Sequence, residues 1–337
     1  MAVNLRDVAQ RADVSISTAS RVLSGSDYPV LPELRKRVER AAQELDYVPN
    51  AQAQGLLRGS AGTIGVLAGD IGDPYFSEII NGIHSVASQQ RLLVTICHTE
   101  RDPERELEYF RMLQAHRASV VIIAGSGLRD DRYRAGIAAR ARSFQANGGR
   151  VVAIGTPTID VDSVRVDNVA GARQLASHLV HLGHRDIGVL AGPEDVESTI
   201  ERVEGLREVV TRIGGSVQVH YGAPTRRAAY AGAKHLLNTD DSLTALVGTA
   251  DQLAIGALNR LDEVGLTVPR DVSVAGFNDI SVAADVHPPL TTVRLPLQEM
   301  GRTAMEVALK RNSEQHARTH ALKVELVVRG STGAARK

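Results

Sequence analysis

Up to Leu45, apolar residues recur at helical spacing; beyond Thr63 they gather into short β-branched runs. Leu5, Val8 and Ala9 make one stripe, and Ala19, Val22 and Leu23 make a second. The two predict short helices joined by a tight turn, with Ser15 as N-cap of the second. Ile16, Ser17, Ser20 and Arg21 then point outward from the front of that helix. A helix-turn-helix presents such a helix, front end first, to the major groove of DNA. An ordinary helical hairpin is the plainer alternative. Ser24–Pro29 is a turn-rich loop, and Pro32 suits the first position of a third helix through Leu34, Val38, Ala41, Ala42 and Leu45. Pro49-Asn50 breaks the pattern. The Ala-rich piece that follows, with Gly55 inside it, is too short to be a stable helix alone.

After Thr63 the runs Ile64–Ala68, Leu93–Cys97, Ser119–Ile123 and Val151–Ile154 alternate with helical stretches at Phe76–Gln90, Glu104–His116 and Ala135–Asn147. The alternation restarts with strands at Asp186–Leu190, Thr244–Gly248 and Val272–Gly276. Helices are expected at Ala170–Leu182, Ile200–Ile213, Thr225–Leu237 and Leu253–Val264. Such alternation marks βαβ units and buried parallel sheets. Two consecutive sets predict two similar lobes, with a ligand cleft at the strand ends. Leu322–Val328 reads as a last strand and Gly330–Lys337 as a frayed tail.

Composition narrows the class. A chain of 337 residues holds two or three domains. No apolar run is long enough to span a bilayer, no signal peptide is evident, and the single Cys97 excludes an internal disulfide, so the expected compartment is the cytoplasm. Net charge is zero, and residues 1–60 carry eight Arg or Lys against seven acids, so charge does not argue for nucleic acid. The DNA reading rests on pattern, and on Arg21, Arg35, Lys36, Arg37 and Arg58 being placed to meet phosphates. No catalytic constellation is present. His181 and His184 have a chelating spacing but lack a third ligand, and there is no dinucleotide fingerprint, Walker loop or nucleophile elbow. Neither cofactor nor metal is expected.

These residues also carry a family pattern. Asp7-Val8-Ala9, Val14-Ser15 and Ser20-Arg21-Val22 resemble the helix-turn-helix of the lac repressor (LacI/GalR) family. Leu45–Asn50 and Ala53-Gln54-Gly55-Leu56 resemble its headpiece end and hinge. Asp73-Pro74-Tyr75-Phe76, Val166-Asp167-Asn168, Leu182-Gly183-His184, Arg202–Gly205, Gly276–Asp279 and Pro289–Thr292 follow in family order, and the likeness runs from about Val3 to Thr332. The resemblance implies an α/β protein with an N-terminal all-α helix-turn-helix headpiece (1–48) and a hinge (49–60). The rest, 61–337, would be a two-lobed, type I periplasmic-binding-protein-like body of two parallel-sheet subdomains. Lobe 1 would span about 61–164 and 292–323, and lobe 2 about 165–291 and 324–332.

It further implies a homodimeric, ligand-responsive transcriptional regulator, a repressor, on a near-palindromic operator. Ser15, Ile16, Ser17, Ser20, Arg21 and Arg35 would meet DNA from the headpiece, and Asn50, Ala53 and Leu56 from the hinge. Leu56 matches the apolar wedge that kinks the minor groove, and Gly55 leaves the hinge to order on DNA. Leu31 and Leu34 stand where the family usually has a capping Ser and a Thr. A small-molecule effector in the inter-lobe cleft, a sugar or related metabolite, would meet Asp73, Tyr75, Phe76, Ser198, Arg202, Asp251 and Asn278; core packing is the alternative for Phe76. Ala250, Asn278, Gly155-Thr156 and Pro224 depart from the family's usual Asn, Asp, Asp-Arg and aromatic residue, which thins the equipment for gripping paired hydroxyls. The rival readings are a solute-binding protein without DNA function and a constitutive architectural DNA binder.

Overall fold

The computed structural model describes residues 3–24, 28–48, 63–310 and 317–336. The chain divides into two compact units, Met1–Gly62 and Thr63–Lys337.

In the first unit, local capping defines each helix. Asn4 caps α1 (Leu5–Arg11) in a reciprocal box: its side chain accepts from the Arg6 N–H at 2.8 Å, and the Asp7 carboxylate accepts from the Asn4 N–H at 2.9 Å. Asp13, at φ +49°, makes the turn to α2 (Ile16–Leu23), where the Ser15 hydroxyl accepts from the Thr18 N–H at 3.1 Å. Pro32 opens α3 (Pro32–Glu44) as the sequence predicts. Among the described residues, alanines make up five of the eight buried apolar side chains, Ala9, Ala12, Ala19, Ala41 and Ala42, packed with Val8, Val22 and Val38. Small side chains let three short helices cross closely.

The second unit holds two six-stranded sheets. Lobe 1 contains β1 (Ile64–Ala68), β2 (Val94–His98), β3 (Val120–Ala124), β4 (Arg150–Ile154), β5 (Asp162–Val166) and β11 (Thr319–Leu322), all parallel, in the order β11-β5-β4-β3-β1-β2. Lobe 2 contains β6 (Asp186–Ala191), β7 (Ser216–Tyr221), β8 (Ala245–Gly248), β9 (Ser273–Asn278), β10 (Thr291–Arg294) and β12 (Glu325–Val327), in the order β12-β10-β9-β8-β6-β7. Only β12 runs antiparallel, against β10. The order reverses at β1 in one sheet and at β6 in the other, the positions where open parallel sheets form ligand crevices. All five residues of β1 and of β3 are buried, as helices on both faces require.

Lobe 1 carries α4 (Pro74–Gln89), α5 (Pro103–Ala115) and α6 (Asp131–Ala146). Lobe 2 carries α7 (Asn168–His181), α8 (Glu197–Arg212), α9 (Arg226–Thr239) and α10 (Asp251–Glu263). The last helix, α11 (Leu297–Leu309), follows a lobe-2 strand but packs on α4 and β4 of lobe 1. Its approach to α4 is backbone to backbone. A Cβ on Gly82 would lie 2.0 Å from the Gln298 carbonyl oxygen, and one on Gly301 would lie 2.0 Å from that of Ile79.

Three expectations need correction. The chain changes lobe after β5, after β10 and after β11, so the first two crossings fall slightly beyond 164 and 292. Residues 322–328 are not one strand: β11 ends in the first sheet and β12 begins in the second. The tail is not frayed. Ser331 is fully buried; its hydroxyl donates to the Val274 carbonyl at 2.6 Å and accepts from the Thr291 N–H at 2.8 Å. His184 meets Thr244 Oγ1 at 2.8 Å and Ser273 Oγ at 3.1 Å, and its Nε2 lies 3.1 Å from the Gly333 carbonyl oxygen. Burial lowers its pKa, so it serves as a neutral tie for the tail.

Candidate DNA-reading face and effector cleft

In the headpiece, the inward pair Ala19 and Val22 fixes which side of α2 faces water. Ile16 is 47% exposed, Ser17 and Arg21 are exposed, and Ser20 is half-buried. The Ser15 hydroxyl is occupied by the cap, with Ser17 Oγ at 2.9 Å and Thr18 Oγ1 at 2.8 Å, so Ser15 shapes the helix end. The Arg21 guanidinium lies over the Tyr28 ring, 4.3 Å from its centroid. Arg35 is half-buried on α3, whose N-cap Leu31 makes no side-chain cap bond. Arg37 braces the turn from the surface: its Nη2 donates to the Asp13 carbonyl at 2.9 Å and to the Asp13 carboxylate at 3.0 Å. Asn50, Ala53, Leu56 and Arg58 lie outside the described residues.

On the lobe-1 side of the cleft, Asp73 caps α4, accepting from the Tyr75 N–H at 3.0 Å. Desolvation is the main influence on its carboxyl and raises its pKa. Tyr75 stands edge-on to Phe76, with ring centroids 4.9 Å apart. Phe76 is only 1% exposed; a Cβ on Gly69 or Gly125 would come within 2.9 or 3.3 Å of its ring. Core packing therefore accounts for Phe76, and of the expected aromatic pair Tyr75 alone keeps surface. A crevice at the ends of β1 and β3 encloses about 30 Å³, room for one or two waters. Glu106 accepts from the Tyr133 hydroxyl in its wall.

On the lobe-2 side, Arg202 is 7% exposed. Its Nε donates to Asn168 Oδ1 at 2.9 Å and its Nη1 to the Thr249 carbonyl at 2.6 Å, while the guanidinium sits 4.0 Å over the Phe277 ring. Burial lowers its pKa to about 10, which leaves it charged at neutral pH. Ser198 lies half-buried one turn earlier. Asn278, 4% exposed, ends β9 at φ +115°, and its Oδ1 is buried without a hydrogen-bond partner. Asp279 holds this strained corner through Arg294 and Arg329, each at 2.7 Å. At the equivalent end of β4, the left-handed position is taken by Gly155, at φ +100°.

Asp251 stands behind the cleft wall. It is fully buried; Oδ1 accepts from Thr292 Oγ1 at 2.5 Å and Oδ2 from the Ile280 N–H at 2.8 Å. Both oxygens are committed to tying α10 to the second sheet, so the expected ligand role is replaced by an internal one. Burial raises its pKa to about 6, against 3.8 in an unfolded chain. Between those values the folded state holds a proton that the unfolded state lacks, so this group's contribution to stability falls as pH rises. Asp251→Asn is expected to remove a loss on the order of 3 kcal/mol between about pH 4 and pH 6.5. Denaturant titrations of both proteins across that range check it; parallel stability curves would contradict it.

Several residues of the site were not singled out from the sequence. Glu201 Oε2 accepts from Thr156 Oγ1 of lobe 1 at 2.8 Å and from Asn168 Nδ2 of lobe 2 at 2.7 Å. Asn168 passes the chain on to Arg202. The motifs Asp167-Asn168 and Gly276-Phe277 were the available signal for Asn168 and Phe277. Nothing local marks Glu201, whose partners lie 45 and 33 positions away. A second contact joins the lobes beside it: Leu128 and Val196 form an antiparallel bridge, and Arg129 meets Glu197 through Nε at 3.1 Å and Nη2 at 3.0 Å. Among the described residues no cluster of His, Cys, Asp or Glu is arranged to hold a metal ion, and no helix is long and apolar enough to cross a membrane.

Known proteins share this arrangement. Residues 4–50 match the bacterial regulatory proteins of the lacI family, and residues 176–332 match the periplasmic binding protein-like domain. The HTH-type transcriptional repressor CytR of Escherichia coli (strain K12) is 34% identical over 340 residues, covering 99% of this chain and 97% of that protein. The crystal structure of the lac repressor dimer bound to operator and the anti-inducer ONPF superposes with a TM-score of 0.86 at 28% identity, covering 99% of this chain and all of that one. The transcriptional regulator CelR–cellobiose complex gives 0.71 at 29% identity, covering 98% and 99%. With a helix-turn-helix headpiece, two parallel-sheet lobes and these relatives along its whole length, the chain belongs to the lacI family of bacterial regulatory proteins, which are DNA-binding transcriptional regulators and not enzymes.

Proposed function

We propose that the protein is a cytoplasmic repressor that binds a near-palindromic operator as a homodimer, and that a small-molecule effector in the inter-lobe cleft changes its affinity. The observation that carries the DNA reading is the front of α2: an apolar Ile16 and a polar Ser17 exposed on a helix whose end Ser15 caps. Ile16 and Ser17 reach base edges, Ser20 and Arg21, one turn on, support base and phosphate contacts, and Arg35 meets the phosphate backbone. The hinge residues Asn50, Ala53 and Leu56 complete the contact in the minor groove. For the second copy, the edge strand β2 leaves Ile96 exposed and Leu93, just before it, is 76% exposed, apolar surface that a partner would cover.

Ile16→Ala is expected to change the preferred half-site, whereas Arg35→Ala weakens binding to all sequences alike. Titration of a base-substituted operator set with each variant tests this. Equal losses on every duplex for both variants would refute base reading by Ile16.

For the effector, Arg202 offers donors and the unpartnered Asn278 Oδ1 offers an acceptor, with Tyr75, Asp73 and Ser198 around them. That set suits a small polar molecule, a sugar or a related metabolite, that presents an acceptor to Arg202 and a hydroxyl or amine to Asn278. Cellobiose in the CelR complex is of that class. The Thr156–Glu201 and Arg129–Glu197 contacts tie the two lobes together beside this set, so any parting of the lobes on effector entry would break them.

A further inference from the structure

We infer that Tyr28 is a positioning residue for Arg21 and thereby sharpens half-site specificity; the inference rests on Arg21 reading a base. Tyr28 lies in the loop between α2 and α3 and is 58% exposed, more than the core of a three-helix headpiece requires of an aromatic residue. Its ring sits under the Arg21 guanidinium at 4.3 Å, in the last turn of α2. The Arg21 backbone is anchored as well, with its carbonyl accepting from the Ser24 hydroxyl at 3.3 Å.

Stacking and base reading use different parts of a guanidinium. The ring holds the cation by its flat face. The N–H groups lie in the plane and remain free to bond the acceptor pair on the major-groove edge of guanine. An arginine unsupported on a helix surface has many rotamers to give up on binding. Stacked on Tyr28, it reaches DNA with its plane already set. The aromatic face thus acts on specificity without touching a base.

The experiment uses full-length protein and the duplex it selects from a random pool, together with every single-base substitution of that duplex. Arg21→Ala first locates the base pair whose discrimination depends on the guanidinium. Tyr28→Leu is then expected to lower discrimination at that same base pair about two- to fivefold, with preferences elsewhere unchanged. Tyr28→Phe, which keeps the ring, is expected to retain wild-type discrimination. If Arg21→Ala flattens no position, base reading by Arg21 fails and the inference falls with it. If Arg21→Ala flattens a position and Tyr28→Leu leaves that position intact, the inference alone is overturned. A uniform loss on all duplexes with Tyr28→Leu also overturns it, since that marks a backbone contact or a damaged headpiece.

Discussion

Alanine at Gly82 or at Gly301 is expected to lower the unfolding free energy of the two-lobed body by about 2–3 kcal/mol. Helix propensity alone argues the other way, since Ala is favoured over Gly by about 1 kcal/mol inside a helix. Sterics win here because the obstacle is main chain. A Cβ at either position would sit 2.0 Å from a carbonyl oxygen of the facing helix, and no rotamer change relieves that. The helices α4 and α11 have to separate, which loosens the packing of Ile79, Ile83, Met300 and Ala304 at the crossing. Gly222 supplies the control: its nearest neighbour to a new Cβ is 4.0 Å away and its φ is ordinary, so Gly222→Ala should change stability by less than about 0.5 kcal/mol. Denaturant melts of the three variants decide the matter. If Gly82→Ala is as stable as Gly222→Ala, the close crossing is not a constraint.

Arg202→Met is expected to abolish the effector response while leaving operator binding in place, and to destabilise the body by about 2 kcal/mol. Methionine fills much of the volume over Phe277, but Asn168 Oδ1 and the Thr249 carbonyl lose their donors in a buried setting. Relief from burying a charge offsets part of that loss; the lowered pKa of Arg202 reports the same burial. Arg202→Lys separates the two contributions. It restores a charge, yet a point-like ammonium lacks the planar fork that spans Asn168 and Thr249 together. Operator titrations with metabolites that shift the wild type, followed by thermal melts, measure both effects. A wild-type response in Arg202→Met would remove Arg202 from the effector site.

The headpiece was legible because its instructions are local. Asn4 and Asp7 cap one helix, Ser15 caps the next, and the apolar stripes sit one turn apart. The alternation of lobes was legible for a similar reason: β1, β3, β6 and β8 are buried strands and read as apolar runs. The strands that escaped notice are the polar ones, such as β5 with Asp162, Ser163 and Arg165, and β10 with two threonines and an arginine. Tail docking was hidden for another reason. Ser331 and Gly333 are held by hydrogen bonds to residues tens of positions away, which leave no periodic signature. At the cleft, family order singled out Arg202 and Asn278 as candidates. It gave no indication that Asp251 is sealed in, and it left Phe76 open between effector contact and core packing, because burial is a property of the assembled lobe.

The left-handed corner at Asn278 has a consequence for how this protein responds to selection. Its counterpart in lobe 1 is glycine, for which such a φ is free of strain, whereas an asparagine there costs about 1–3 kcal/mol. A screen for heat resistance alone would therefore favour glycine at both corners. Under the effector role proposed for Asn278, the survivors would be sturdier and deaf to their signal, so robustness and sensitivity should be scored separately whenever the protein is engineered as a sensor.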